Sequence, residues 1–189
     1  MDKATKLFRA TIDSLEDADF IAPSALPVWT RAHVVAHVHF NAKGLMRLLH
    51  WAHTGEPTPM YASAEQRAAE LERGAALAPA RLRELVHHSA LDLALTIDIL
   101  PTDAWRNEVV TAQGRTVPAK EVLWMRTREV AVHAVDLDKG VTFADLPDDL
   151  NTALAIDVVG WRAAKNESAM LAAWLTGRMR QAPVLQPWL

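Results

Sequence analysis

Residues 111–138, TAQGRTVPAKEVLWMRTREVAVHAVDLD, restrict the fold more than any other stretch. The run opens on a turn at Gln113 and Gly114, passes Pro118 at a position that suits the first residue of a helix, and enters a helical pattern carrying Glu129 and His133. Residues four apart stand one turn above the other on a helix face. This carboxylate and imidazole can therefore converge on one point beyond the helix surface. Val130, Val132 and Val135 around them place part of the helix in a core, and a buried carboxylate needs a partner. A divalent metal is one such partner, and it requires a third ligand from a facing helix. The plainer alternative is a surface ion pair, which stabilises a helix by only about 0.2–0.5 kcal/mol.

The rest of the chain supplies helices to face it. Leu7, Phe8, Ile12 and Leu15 recur at helical spacing and predict a helix over residues 2–19, after which Pro23 and Pro27 break the pattern. A second helix is predicted from about Val28 to the stop signals Thr54, Gly55, Glu56 and Pro57. Its inward stripe is Val34, Val38, Asn41, Leu45 and Leu48, with His37 beside it and His39 nearly opposite, toward solvent. The loop GEPTPMYAS follows, then a helical pattern over residues 63–75. Pro79 begins another long helix with Leu82, Leu85, Val86, Leu93 and Ile97 turned inward. Residues 105–117 alternate weakly about a central turn and predict a short β-hairpin. After Gly140 come helices over residues 150–164 and 169–176, the second ended by Gly177, and an apolar tail, PVLQPWL, expected to pack back on the body. Four long amphipathic helices with one long crossover predict a mainly α protein built on a four-helix bundle.

Composition narrows the chemistry. The chain has 189 residues and no cysteine, which excludes disulfides, a cysteine nucleophile and a cysteine-ligated zinc finger. Metal ligands must come from His, Asp and Glu, and the eight histidines are a generous supply. Any thiol chemistry must use a thiol that arrives with a small molecule. The net charge of −3 is spread along the chain with no basic block, which argues against nucleic acid as a partner. With mean hydropathy near zero, no uninterrupted apolar stretch of membrane-spanning length and an amphipathic N-terminus, the expectation is a cytoplasmic protein with no membrane partner.

Periodicity alone leaves the third ligand open among His33, His37, His87, His88, His50 and His53. The seven tryptophans are read mostly as packing, with one or two lining a pocket. Arg126 and Arg128 read as surface charges, Gln113 and Arg115 as turn chemistry, and Arg178 as a complement to the C-terminal end of its helix.

The blocks WTRAHVVAHVHFNAKGL, WAHTGEPTPMYAS and TAQGRTVPAKEVLWMRTREVAVHAVDL resemble the mycothiol-dependent maleylpyruvate isomerase family, within the DinB-like four-helix bundles that bind a divalent metal. The resemblance covers most of residues 28–140. It implies a DinB-like metal-binding bundle over residues 1–140 and a small, shortened C-terminal unit over residues 141–189, where close relatives carry a longer α/β domain. It implies zinc, or another divalent metal, on His37 of VAHV and on Glu129 and His133 of REVAVH. The segment AAWLTGR resembles the end of the C-terminal domain and makes Arg178 the counterpart of a functionally important arginine. Gln113, Arg115 and Arg128 are lesser candidates for contacts to substrate or thiol. The activity implied is mycothiol-dependent isomerisation of maleylpyruvate to fumarylpyruvate, in gentisate degradation, by a monomer or homodimer. Mycothiol S-transfer onto electrophiles and a non-catalytic metal-binding bundle are the alternatives.

Overall fold

A computed structural model of the chain describes residues 1–185. The chain divides into two compact units, one running from Met1 to Val141 and the other starting at Thr142.

The first unit contains the helices α1 (Asp2–Ser14), α2 (Arg31–Thr54), α3 (Ala64–Ala75), α4 (Pro79–Ile99) and α5 (Glu121–Asp136). Its hairpin consists of β1 (Glu108–Val110) and β2 (Thr116–Pro118), paired antiparallel with Val109 opposite Val117. α1, α2, α4 and α5 form the bundle. α2 packs on α4, α5 and α3, while α1 closes the far side against α5 and α4. α2 buries residues around most of its circumference, including Val34, Val38, Asn41, Leu45 and Leu48, as expected of a helix enclosed by several neighbours. Leu45, Leu48, Leu49, Leu93, Val109, Val117 and Val122 meet in one apolar cluster that seats the hairpin on the bundle.

Local chemistry sets the boundaries, and three of them depart from expectation. The first helix stops at Ser14, and residues 17–19 form a separate 3-10 turn in a capping box with Glu16. α2 begins at Arg31 and not near Val28, because Val28 takes a positive φ of 62° in the preceding turn and Thr30 caps the helix with His33. Pro118 does not open α5. It ends β2 opposite Glu108, at the edge of the two-stranded ladder where its missing N–H costs no hydrogen bond, and α5 starts three residues later.

Two further expectations are corrected by partners distant in sequence. His39 is buried, with Nδ1 against the Leu85 carbonyl of α4 at 3.1 Å. Arg126 is also buried: its Nη1 donates to the Val38 carbonyl at 2.8 Å and to Asn41 Oδ1 at 3.0 Å. Burial pushes its pKa down to about 10, which leaves it charged at neutral pH.

In the second unit, α6 (Asp148–Ala163) packs on α7 (Ser168–Leu175). Leu154 and Leu171 are buried, and Gly177 leaves α7 at a positive φ of 75°. Of the apolar tail, Val184 and Leu185 are exposed, and the terminal PWL lies outside the described residues.

Candidate metal centre

α2 and α5 run antiparallel, and their register brings the chemistry together. Arg31, in the first turn of α2, donates from Nε to the Leu137 carbonyl and from Nη2 to the Asp138 carbonyl at 3.1 Å, closing the C-terminal end of α5. Two turns along α2, His37 faces Glu129 and His133. The next residue, Val38, and Asn41, one turn on from His37, receive Arg126. These contacts fix helix α5 against α2 on both sides of the Glu129 and His133 pair.

His37 Nε2 donates to Glu129 Oε2 at 3.1 Å, and His133 Nε2 lies 3.3 Å from the same oxygen. The His37 and His133 rings meet edge to face, with centroids 4.9 Å apart. All three residues are shielded from water, His133 most completely. Burial alone would raise the Glu129 carboxyl, but the imidazoles of His133 and His37 hold it well below the usual carboxylate range. Burial pushes His37 below the ordinary histidine value despite the pull of Glu129. Burial opposes the charge on His133 too, but there the hydrogen bond to Asp136 and the Glu129 carboxylate prevail, and its pKa rises to about 9.

The donor set fits zinc. One ligand atom from each of His37, Glu129 and His133 lies within 4.8 Å of the other two. Tetrahedral bonds of about 2.0–2.2 Å would separate ligand atoms by about 3.3–3.6 Å, close to the spacings around Oε2. His133 Nε2 is buried and makes no hydrogen bond despite its proximity to Glu129. A buried nitrogen of this kind requires a partner. The other ring nitrogen, Nδ1, donates to Asp136 Oδ2 at 2.8 Å, which directs the Nε2 lone pair of the neutral ring at the centre. On a zinc ion, two histidines and one glutamate would leave one position of four for a further ligand, as in catalytic zinc sites.

A cavity of about 730 Å³ adjoins the cluster, with His37 in its wall beside Trp29, Phe40, Trp51, Met60, Tyr61 and Arg67. Trp29 stands 5.4 Å from the His37 ring, held by hydrogen bonds from Ser24 to its carbonyl. Met60 is drawn against α2 by Arg47, which donates to its carbonyl at 2.6 Å. The hairpin contributes Val110, Thr111 and Ala112.

The other histidines serve elsewhere. His33 caps α2 with Thr30, at 2.7 Å from Oγ1 to Nδ1. His87 bridges Arg9 and Asp13 at 2.6 and 2.8 Å, His88 is exposed beside Glu84, and His50 and His53 are exposed. Gln113 and Arg115 sit exposed in the hairpin turn, where Arg115 N–H donates to Thr111 Oγ1 at 3.2 Å. Arg128 is half-buried on α5 next to Glu129. Arg178 belongs to the second unit, exposed, with Nη1 donating to the Thr176 carbonyl. Asp136, Trp29, Tyr61 and Arg67 have positions at the site that sequence reasoning did not assign. Only Asp136 carried a local signal, being three residues from His133 on the same helix.

The mycothiol maleylpyruvate isomerase N-terminal domain family matches residues 1–138. A solved mycothiol-dependent maleylpyruvate isomerase superposes with a TM-score of 0.82 at 46% identity, over 84% of this chain and 66% of that one. A histidine-to-alanine mutant of such an isomerase gives 0.82 at 45%, with the same coverage. The match thus spans just under two thirds of the length of these solved proteins. No curated protein sequence matches the chain. Among the described residues no helix is long and apolar enough to cross a membrane. Because the family matches residues 1–138, nearly three quarters of the chain, and a solved isomerase shares the fold at 46% identity, the chain belongs to the mycothiol maleylpyruvate isomerase N-terminal domain family.

Proposed function

We propose that the protein is a metal-dependent enzyme that isomerises maleylpyruvate to fumarylpyruvate with mycothiol as its thiol. The observation that carries this reading is the buried, unbonded Nε2 of His133, facing Glu129 and His37 beside a large cavity in a chain without cysteine.

Rotation about a carbon–carbon double bond is prohibitive until a nucleophile adds and leaves a single bond. Bound mycothiol would supply that reversible nucleophile, and zinc would favour its thiolate form at neutral pH. His37, Glu129 and His133 would hold the ion, and Asp136 would keep the His133 ring in the tautomer that ligates. Trp29, Phe40 and Trp51 would exclude water from the reacting groups, strengthening every electrostatic contact inside. Arg178 would bind a substrate carboxylate with its planar fork, and Gln113, Arg115 and Arg128 are lesser candidates for substrate or thiol contacts. With this activity the protein would serve gentisate degradation, in the cytoplasm.

Loss of maleylpyruvate absorbance, followed with zinc-loaded protein in the presence and absence of mycothiol, tests the reading. Turnover that requires mycothiol supports it. Zinc bound at one per chain without turnover, together with conjugation of mycothiol to an alkylating fluorophore, would instead indicate an S-transferase; with neither activity, a metal-binding bundle.

A further inference from the structure

We infer that Arg67, on α3, is a carboxylate-binding residue of the cavity. The inference rests on the isomerase reading for the identity of the carboxylate, since that substrate is a diacid, and on the structure for the residue.

Ala64, Arg67, Ala68 and Leu71 are spaced at i, i+3, i+4 and i+7, and all four line the cavity. This face of α3 is apolar except for one guanidinium. Among the described lining residues Arg67 is the only permanently charged group; it is exposed, and no ion pair among the described residues holds it. The acids nearest in sequence on α3 are engaged or exposed: Glu70 accepts from Gln66 at 2.9 Å, Glu72 faces His33 at 3.5 Å, and Glu65 is exposed. Instead the guanidinium carbon lies 5.2 Å from the centre of the Tyr61 ring, which also lines the cavity. This stacking, with a side-chain hydrogen bond between Arg67 and Tyr61, orients the fork, and a guanidinium with five N–H donors has others to offer an anion. Burial raises the Tyr61 phenol, so it remains a hydroxyl able to donate beside the cation. Arg67 and His37 lie in the wall of one cavity, so a short diacid bound there could place one carboxylate on Arg67 with its double bond near the metal centre.

Maleate, a cis dicarboxylate, is the probe. Its binding to zinc-loaded wild type, R67K and R67A would be followed by tryptophan fluorescence, because Trp29 and Trp51 line the cavity, with zinc content measured in parallel. The expected result is at least tenfold weaker binding by R67A, a smaller loss in R67K, which keeps the charge without the fork, and unchanged zinc content. Equal maleate affinity in wild type and R67A, or no binding by wild type, would overturn the inference. Maleylpyruvate turnover separates the two claims. Arg67-dependent maleate binding in a wild-type protein that turns nothing over removes the isomerase reading and keeps the carboxylate site. Turnover with unchanged KM in R67A removes the role of Arg67 and keeps the isomerase.

Discussion

His37 on α2 and Glu129 on α5, 92 residues apart in sequence, meet at 3.1 Å through Nε2 and Oε2. Each supplies one of the candidate ligand atoms, and this contact, with the edge-to-face packing of His37 on His133, brings the α2 atom into the cluster. His37→Ala should therefore lower zinc affinity by more than the roughly 10–100-fold typical of a lost supporting residue, and activity should fall with it. Competition against a chelator measures the first and the maleylpyruvate assay the second. Activity retained in metal-free H37A would remove the metal from the proposed mechanism.

Asp136 touches His133 and not the centre, through the 2.8 Å bond to Nδ1. Asp136→Ala leaves all three candidate ligands in place but frees the ring to change tautomer and orientation. Zinc affinity should fall by about 10–100-fold, with full occupancy and most activity restored at saturating zinc. H37A should show no such rescue, and the contrast separates a supporting residue from a ligand.

The raised pKa of His133, about 9 against an ordinary 6.5, gives two pH dependences of opposite sign. Without metal, the protonated ring stabilises the fold through Asp136 and Glu129. That contribution is complete below about pH 6.5 and is lost as pH rises through 9, so urea midpoints of the stripped protein should fall across this window. A ligating His133 must lose the same proton. Zinc affinity should then rise about tenfold per pH unit between 7 and 9 and level off above it. Titration in buffers of different ionisation enthalpy would count the proton released.

The bundle was legible because helical periodicity is local, and so was the pairing of Glu129 with His133, which lie on one helix. The facing histidine was not. His33 and His37 share a face of α2, and what separates them is the capping bond of His33 to Thr30 and the approach of α5, neither of which periodicity encodes; the family resemblance supplied His37. His39 and Arg126 were misplaced for the same reason. A buried polar side chain looks like a solvated one until its partner is known, and those partners are Leu85 on α4 and Val38 with Asn41 on α2. The cavity wall joins Trp29, Trp51, Tyr61 and Arg67 from separate segments, so no single window of sequence contained it.

Arg126 should matter to stability more than to the metal. Arg126→Met removes two charge-assisted hydrogen bonds and leaves the buried Asn41 side chain without that donor, at a cost of about 3 kcal/mol. Urea denaturation of zinc-loaded protein should show this loss with zinc stoichiometry unchanged. Adding Asn41→Leu removes the stranded amide, so the double variant should recover part of the loss. An additive or worse double variant would show that the cation, and not its bond to Asn41, stabilises this layer.

Gly74 controls how closely α3 approaches α2. A methyl group there would lie 2.8 Å from Phe40 Cε2 and 2.9 Å from the Ala36 methyl, inside any real contact distance. Alanine in a helix normally gains about 1 kcal/mol over glycine, but here overpacking at a cost of about 1–3 kcal/mol should offset that gain and push α3 outward. Phe40 and Arg67 both line the cavity, so the displacement should reach the ligand before it reaches the metal. Gly74→Ala should weaken maleate binding several-fold while zinc content stays at the wild-type level. Wild-type maleate affinity in G74A would mean that α3 can move without carrying Arg67 out of register with the centre.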